Sequence, residues 1–339
     1  MTIFLRLLAD ADKGAGLSTA CARLRQGETD PRLFEVAPEA FDAVPGKPFA
    51  YWVSNNVRSI FPRFPMFEEG ERKSSGGIGS TDDFRFIRTW WEVSPSSLTT
   101  NQHLATERKS AWVPIAQGGG CSPFYSKILS VIQFGQDGIE LKSFIEEKLG
   151  SASRNVRAQS YYFKAGLTWP LRGEYFSSWP LPAGSVFSVA GKMAYAPRVE
   201  LLYWLAIFNS KPFDYLLRLF AGKVGGVQYE SGLIGELPVP MDFHGEATRL
   251  TALARQGWQL KRSLDFLDEL SHAFRCPRLS DYDPPMIEAA LAKIQAEIDA
   301  LAFDLYGFDE ADRIAALSRE ELTTEDTEDT EEEEEREDE

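Results

Sequence analysis

Residues 199–220 read VELLYWLAIFNSKPFDYLLRLF and mark the point where the sequence changes from strand-like to helical patterns. This run is the most apolar of the chain, but Glu200, Lys211 and Asp214 interrupt it, so it predicts a pair of core helices and not a membrane span. Residues 209–212, Asn-Ser-Lys-Pro, predict the turn between the two helices. The helix pair therefore follows a region of β-type sequence and precedes a purely helical one.

Short β-type runs separated by glycines precede the helix pair. They cover residues 84–93, 111–115, 128–134, 161–168 and 185–189. Tryptophan, tyrosine and phenylalanine are dense among them. Strands followed by helices predict an α+β fold with a twisted, mixed or antiparallel sheet.

Helical patterns continue beyond Pro240. Leucine and isoleucine recur at helical spacing over 247–274 and 286–306, which predicts two amphipathic helices that face each other as a hairpin. Residues 1–45 are punctuated by glycine and proline and predict a weakly structured lead-in, with a remnant of an upstream domain as one interpretation. The predicted units are 1–45, 46–240, 241–318 and an acidic tail at 319–339 that we expect to be disordered.

The charge of the chain is concentrated at its C-terminal end. The whole sequence carries −15, but residues 320–339 hold 14 acidic residues and one arginine, a local charge of −13 that leaves −2 for the other 319 residues. A nearly neutral body leaves its lysines and arginines free to form a basic face, so the total charge does not exclude a nucleic-acid partner.

The cysteines and the N-terminus bear on the compartment of the protein. Cys21, Cys121 and Cys276 lie far apart, without the paired spacing of a disulfide framework or a metal site, which is typical of a reducing compartment. The N-terminal residues show no signal-peptide pattern. The sequence therefore predicts a cytoplasmic protein with no membrane partner.

Candidate catalytic and metal-binding groups are few. The glycine-rich segment 76–80 lacks the preceding strand and following helix of a nucleotide-binding loop, so a flexible surface loop that approaches a sugar-phosphate backbone is favoured. Asp82 and Asp83 are interpreted as residues that begin a strand or pair with arginine, rather than as a metal pair. The three histidines are scattered without ligand spacing, so no metal site is expected.

Residues 281–286, Asp-Tyr-Asp-Pro-Pro-Met, invite comparison with the (Asp/Asn)-Pro-Pro-aromatic element that holds a flipped base in amino-methyltransferases. Met286 stands at the aromatic position, and no apolar strand leads in. A helix start, with proline in the first turn, is the favoured interpretation.

The most informative polar cluster is the loop 151–164. It carries side chains that pair with guanine and adenine edges or with phosphates, namely Arg154, Asn155, Arg157, Gln159 and Lys164. Lys223 and Gln228 form a second such cluster in the loop 221–229. Composition alone favours plain solvated loops, because polar loops are common on protein surfaces.

At these residues the sequence resembles a known family, the C-terminal half of the large adenine-specific DNA methyltransferases of BREX phage-defence systems and single-chain type II restriction–modification enzymes. Five stretches carry the resemblance, in the order of the family: 48–54, 79–93, 154–169, 205–211 with 235–240, and 297–307. The positions singled out within them are Asp83, Phe84, Arg85, Arg88, Trp91, Tyr162, Phe163 and Trp169.

The resemblance implies a target recognition domain over 46–240 and a helical spacer over 241–318. In the family the methyltransferase core, with its S-adenosylmethionine loop and Asn-Pro-Pro-Tyr element, lies upstream, and residues 1–45 show neither motif. The expected partners are therefore double-stranded DNA and a methyltransferase core subunit. No catalytic residue or cofactor is expected in this chain, and S-adenosylmethionine is expected in the missing or partner catalytic domain.

Two other functions remain open. The first is an interaction or assembly module that binds no DNA and docks a methyltransferase partner through its helical hairpin and acidic tail. The second is an autonomous enzyme, which is least favoured because the sequence shows no set of catalytic groups. We expect this chain alone to lack methyltransferase activity.

Overall fold

The computed structural model describes residues 2–44, 50–221, 228–241, 245–276 and 282–318. The fold is mixed α+β and includes a mixed sheet, which confirms the predicted fold class. The acidic tail at 319–339 and the recognition candidate Lys223 lie outside the described residues.

The N-terminal segment has regular structure, so the prediction of a weakly structured lead-in was wrong. Strand β1 (Thr2–Leu5) pairs antiparallel with β2 (Leu33–Val36), and helix α1 (Lys13–Gln26) lies between them in the chain. Local caps set both ends of α1. Asp12 accepts the Ala15 amide as the N-cap of α1, and Gly27 ends the helix with a left-handed φ of 73°.

The region from 50 to 241 contains two four-stranded sheets and most of the helices that cover them. Its first elements are α2 (Asn55–Arg63), β3 (Lys73–Ser75), α3 (Asp83–Phe86), β4 (Ile87–Thr89), α4 (Gln102–Glu107), β5 (Trp112–Ala116), β6 (Ser130–Gln133) and α5 (Gly135–Leu149). The later ones are β7 (Gly166–Pro170), β8 (Trp179–Leu181), β9 (Val186–Phe187), β10 (Gly191–Tyr195), α6 (Leu201–Phe208), α7 (Lys211–Ala221) and α8 (Ser231–Glu236).

One sheet has the order β3-β10-β7-β8 and is antiparallel throughout. The other has the order β4-β6-β5-β9, with β5 and β9 parallel and the remaining pairs antiparallel. The chain crosses from one sheet to the other between β9 and β10. There the Ser188 hydroxyl accepts the amides of Ala190 and Gly191, which fixes the bend between the two strands.

Two of the predicted strands differ from the observed ones. The run 84–93 begins as α3, because the Asp82 carboxylate accepts the Arg85 amide as an N-cap, and only β4 is extended. The run 161–168 begins in a 3-10 turn, and its strand is displaced to β7. Aromatic and β-branched residues indicated strands in both cases, but the Asp82 cap begins a helix in the first run and a 3-10 turn after Ala158 begins the second.

The helices α9 (Glu246–Ser263), α10 (Pro284–Tyr306) and α11 (Glu310–Leu317) complete the described chain. α9 and α10 form the predicted hairpin, with an ion pair of 2.6 Å between Arg249 and Glu297. α9 ends at Ser263, well before the predicted Phe274. The Asp283 carboxylate accepts the Met286 amide and Pro284 occupies the first turn, so the predicted helix start is confirmed.

The predicted helix pair of 199–220 lies in the main hydrophobic core as α6 and α7. Trp204 and Phe208 are fully buried there, and α9 and α10 pack against the same core. The predicted turn is tied to β8, because the Asn209 amide accepts the Ser178 N–H and donates to the Ser178 and Leu205 carbonyls. A second core lies between α5 and the mixed sheet. Within the described residues, no helix has both the length and the hydropathy to cross a membrane.

Candidate nucleic-acid interface

The loop 151–164, which joins α5 to β7, has an unusual backbone. It contains two 3-10 turns, and Ala158 and Phe163 adopt positive φ angles of 52° and 65°. Residues other than glycine rarely adopt such angles, so surrounding contacts must hold the loop in this conformation. Val156 and Tyr162 supply them, since both side chains are buried in the second core.

The glycine-rich segment 76–79 lies between β9 and the loop 151–164. Ile78 forms an antiparallel bridge with Val156 and a parallel bridge with Ser188. Its amide donates to the Phe187 carbonyl at 2.9 Å, and the Gly79 amide donates to the Asn155 carbonyl at 2.7 Å. The interpretation as a flexible surface loop was therefore wrong, because these residues add a strand-like connection between β9 and the loop 151–164.

Four of the predicted DNA-contacting side chains lie together on this loop. Arg154, Arg157 and Gln159 are exposed, and Asn155 is half-buried beside Gly79. The Arg157 guanidinium donates to the Arg154 carbonyl at 2.5 Å, and the Gln159 amide donates to the Val156 carbonyl at 3.3 Å. The loop thus presents hydrogen-bond donors of the types that contact base edges and phosphates, on a backbone anchored to a core.

The remaining candidates are placed differently. Lys164, at the end of the loop, is exposed, and its ammonium group lies 5.1 Å from the ring of Tyr161 and 5.2 Å from that of Tyr195. Gln228 forms an antiparallel bridge with Arg172, beyond the opposite end of β7, so it is not grouped with Lys164.

The family-motif positions around α3 and β4 make mostly structural contacts. Asp83 accepts a hydrogen bond from Ser80, Arg85 pairs with Glu140 at 3.0 Å, and the Arg88 guanidinium donates to the Ile87 carbonyl at 2.7 Å. Phe84 and Trp91 differ, because 92% and 43% of their surfaces are exposed. Exposed aromatic rings of this kind are available for a partner.

The other motif positions lie close to or within the cores. Trp169 is buried, and its indole N–H donates to the Tyr229 carbonyl at 2.9 Å. Phe163, half-buried, lies 6.1 Å from the ring of Phe134. Tyr162 is buried against Phe134 and Phe187, and its hydroxyl has no hydrogen-bond partner among the described residues. Burial raises the pKa of this tyrosine well above its ordinary value, so it remains neutral.

A groove next to this loop was missed by the sequence reasoning. It has a volume of about 600 Å³ and an apolar floor that includes Leu167, Leu181, Leu201 and Leu205. Its rim carries four cationic side chains, Lys127, Arg198, Arg255 and Arg262. We call this pocket the arginine groove, after its three arginines. The sequence alone could have indicated part of this cationic rim, because Arg255 and Arg262 are seven residues apart and therefore share one face of a helix.

The electrostatics of the rim are uneven. Lys127 forms an ion pair with Asp268, which raises the pKa of the lysine and lowers that of the carboxyl. The Arg262 guanidinium lies 5.8 Å from the Trp258 ring and 5.9 Å from the Phe266 ring. Arg198 and Arg255 are exposed and form no ion pair with any described residue. Two positive charges on the rim are therefore uncompensated.

In the part of the chain that the structure describes, three or more His, Cys, Asp or Glu side chains nowhere group as metal ligands. Cys21, Cys121 and Cys276 are half-buried, and no disulfide joins them within the described residues. The carboxylates of Asp82 and Asp83 are used as a helix cap and a hydrogen-bond acceptor.

Comparison with known proteins gives distant relatives. No family model matches the chain. It is 25% identical over 227 residues to the adenine-specific methyltransferase PglX of Lacticaseibacillus casei (strain Zhang), covering 64% of this chain and 18% of the relative. It is 27% identical over 233 residues to the adenine-specific methyltransferase BrxX of Escherichia coli O9:H4 (strain HS), covering 67% of this chain and 18% of the relative. The chain is thus distantly homologous to adenine-specific methyltransferases, and it spans about a fifth of their length.

Proposed function

We propose that this chain is the DNA-recognition portion of an adenine-specific DNA methyltransferase of the BREX or restriction–modification type. The catalytic domain that binds S-adenosylmethionine lies outside this sequence and supplies the methyl transfer. The distant homology to PglX and BrxX supports the assignment to this class of proteins. Double-stranded DNA is the proposed ligand, and a methyltransferase core is the proposed partner.

The observation that carries the proposal is the loop 151–164. Arg154, Asn155, Arg157 and Gln159 stand on a loop that is anchored by Val156 and by the Gly79 amide. Arginine pairs with guanine and asparagine or glutamine with adenine in the major groove, so this set can read base edges. An anchored loop presents such side chains with less loss of conformational entropy than a mobile one.

The first experiment measures binding of the full-length chain to short duplexes over a salt series. Two proteins are compared, the natural chain and a full-length variant in which the carboxylates of 320–339 are replaced by Gln or Asn. We expect the neutralised variant to bind more tightly, with an affinity that falls as salt rises. Absence of duplex binding by both proteins at about 50 mM salt would refute the proposal.

The second experiment assigns the contacts to the loop. Arg154→Ala with Arg157→Ala should weaken binding and change the preferred sequence, because base-edge contacts are lost. The matched control is Arg25→Ala with Lys293→Ala, which removes two exposed cations on α1 and α10. Equal effects of the two pairs would show that only the total charge matters, and the loop would then have no special role.

A second candidate function is docking of a methyltransferase core without DNA contact. It is favoured by two exposed apolar side chains on α11, Ile314 at 61% and Leu317 at 57% exposed, because such residues are typical of a protein interface. Association of the chain with a purified methyltransferase core, weakened by Ile314→Ser with Leu317→Ser and unaffected by added duplex, would favour this function.

A further inference from the structure

The arginine groove has an apolar part and a cationic part, and each complements one part of a DNA strand. Its floor is apolar, formed by leucines of β7, β8 and α6, and its rim carries Arg198, Arg255 and Arg262. A sugar-phosphate strand alternates anionic phosphates with the apolar faces of deoxyribose. A floor of leucine with a rim of guanidinium groups complements both parts, whereas a purely apolar or purely basic surface would complement only one.

The charges of the rim favour an anionic occupant. Arg198 and Arg255 form no ion pair with a described residue, and the Arg262 guanidinium faces aromatic rings. Beside the groove, Asp268 is already paired with Lys127, and Asp265 lies close to Tyr125 and Lys127. Unpaired guanidinium groups at the edge of an apolar groove attract phosphate strongly, because they bind it in a bidentate manner.

The groove is continuous with the recognition loop. Lys164 ends the loop, and the next residues along the chain, 165–167, line the groove. Arg255 and Arg262 are seven residues apart on α9, which places them about 10 Å apart along the helix, the axial rise of about three nucleotides in one strand. A duplex that contacts the loop can therefore extend along the groove.

We infer that the arginine groove is a second DNA-contact surface, in which one strand lies with its phosphates on Arg198, Arg255 and Arg262 and its sugars on the leucine floor. The inference rests on the proposed function and extends it, because it assigns phosphate contacts to α9 of the helical hairpin. Contacts to phosphates set affinity and register and do not read sequence. The groove therefore holds the duplex while the loop reads it.

The test is the salt dependence of duplex binding by the full-length chain. Arg198→Gln with Arg255→Gln removes two phosphate contacts and should reduce the slope of log affinity against log salt by about 2, equally for all duplex sequences. The control pair Arg25→Gln with Lys293→Gln removes the same charge elsewhere and should leave the slope nearly unchanged. Arg198→Lys with Arg255→Lys keeps the charges and should retain most of the slope.

Each outcome decides between the groove and the proposed function. If the natural chain binds duplex and the Arg198→Gln/Arg255→Gln variant keeps its slope, the groove assignment is wrong and the proposed function stands. If the natural chain and the neutralised-tail variant both fail to bind, the proposed function and the groove assignment fail together. The substitutions Arg198→Gln and Arg255→Gln can also be made in the neutralised-tail variant. If they change only the difference in duplex affinity between the natural tail and the neutralised tail, the acidic tail occupies the groove. That result overturns the assignment of the groove to DNA. Equal unfolding midpoints of all variants exclude a folding defect.

Discussion

Replacement of Gly77 by alanine tests the structural role of the glycine-rich segment. A Cβ at this position would lie 2.0 Å from the Phe187 carbonyl oxygen and 2.7 Å from its carbonyl carbon. Both are backbone atoms, so no side-chain rotation relieves the clash. The same oxygen accepts the Ile78 amide at 2.9 Å, and displacement of the segment would break that bond.

The expected cost follows from these contacts. Overpacking of a buried site costs about 1–3 kcal/mol, and each backbone hydrogen bond contributes about 1 kcal/mol. Loss of the Ile78 bond and of the neighbouring Gly77 bond to the Ser188 carbonyl would add to the clash. We therefore expect Gly77→Ala to lower the free energy of unfolding by about 3 kcal/mol.

Gly76→Ala is the matched control. A Cβ there meets the Val189 Cα at 3.9 Å, which is ordinary contact, and Gly76 has no positive φ. Alanine should therefore be neutral or stabilise the protein by up to about 1 kcal/mol. Urea unfolding followed by tryptophan fluorescence measures both variants. If their free energies of unfolding differ by less than about 0.5 kcal/mol, the segment does not pack as described and does not anchor the loop 151–164.

Three further predictions concern buried polar groups. Burial raises the pKa of Asp299 to about 6. Its ionisation therefore opposes folding, and stability should fall by up to about 3 kcal/mol between about pH 4 and 6. Asp299→Asn should abolish this decline in unfolding curves taken across that range, and an unchanged decline would contradict it. Tyr162→Phe should be neutral or stabilising because its hydroxyl is buried with no hydrogen-bond partner among the described residues. Tyr306→Phe should instead cost about 1 kcal/mol, because its hydrogen bond to the Pro238 carbonyl is lost. Equal effects of the two substitutions on thermal unfolding would refute this prediction. Asn209→Ala should cost about 2–3 kcal/mol because three buried hydrogen bonds are lost, and a loss below about 1 kcal/mol in chemical unfolding would be incompatible with the turn described.

The parts of the fold that local sequence determines were predicted well. The helix pair of 199–220, its turn at Asn209 and the start of α10 at Pro284 depend on spacing and caps within a few residues. The run 84–93 shows the limit of this reasoning. Its aromatic residues indicated a strand, but the Asp82 cap begins a helix there.

Features made by distant residues were not predicted. Gly77 appears in the sequence as a flexible residue, and only the fold brings it against Phe187, more than a hundred residues away. The arginine groove combines Lys127, Arg198 and Arg255 from three separate segments. The polar side chains of the loop 151–164 were expected to lie together because they are close in sequence, and the structure places them together. Their contact with DNA stays a prediction.

Selection from a pool of random duplexes is the most stringent test of sequence-specific DNA recognition by this chain. The full-length chain with a neutralised tail is incubated with the pool, and bound duplexes are sequenced. We expect enrichment of one sequence. This enrichment should be lost or altered in the Arg154→Ala/Arg157→Ala variant and retained in the Arg25→Ala/Lys293→Ala variant. Binding without enrichment, or no binding at about 50 mM salt, would contradict it.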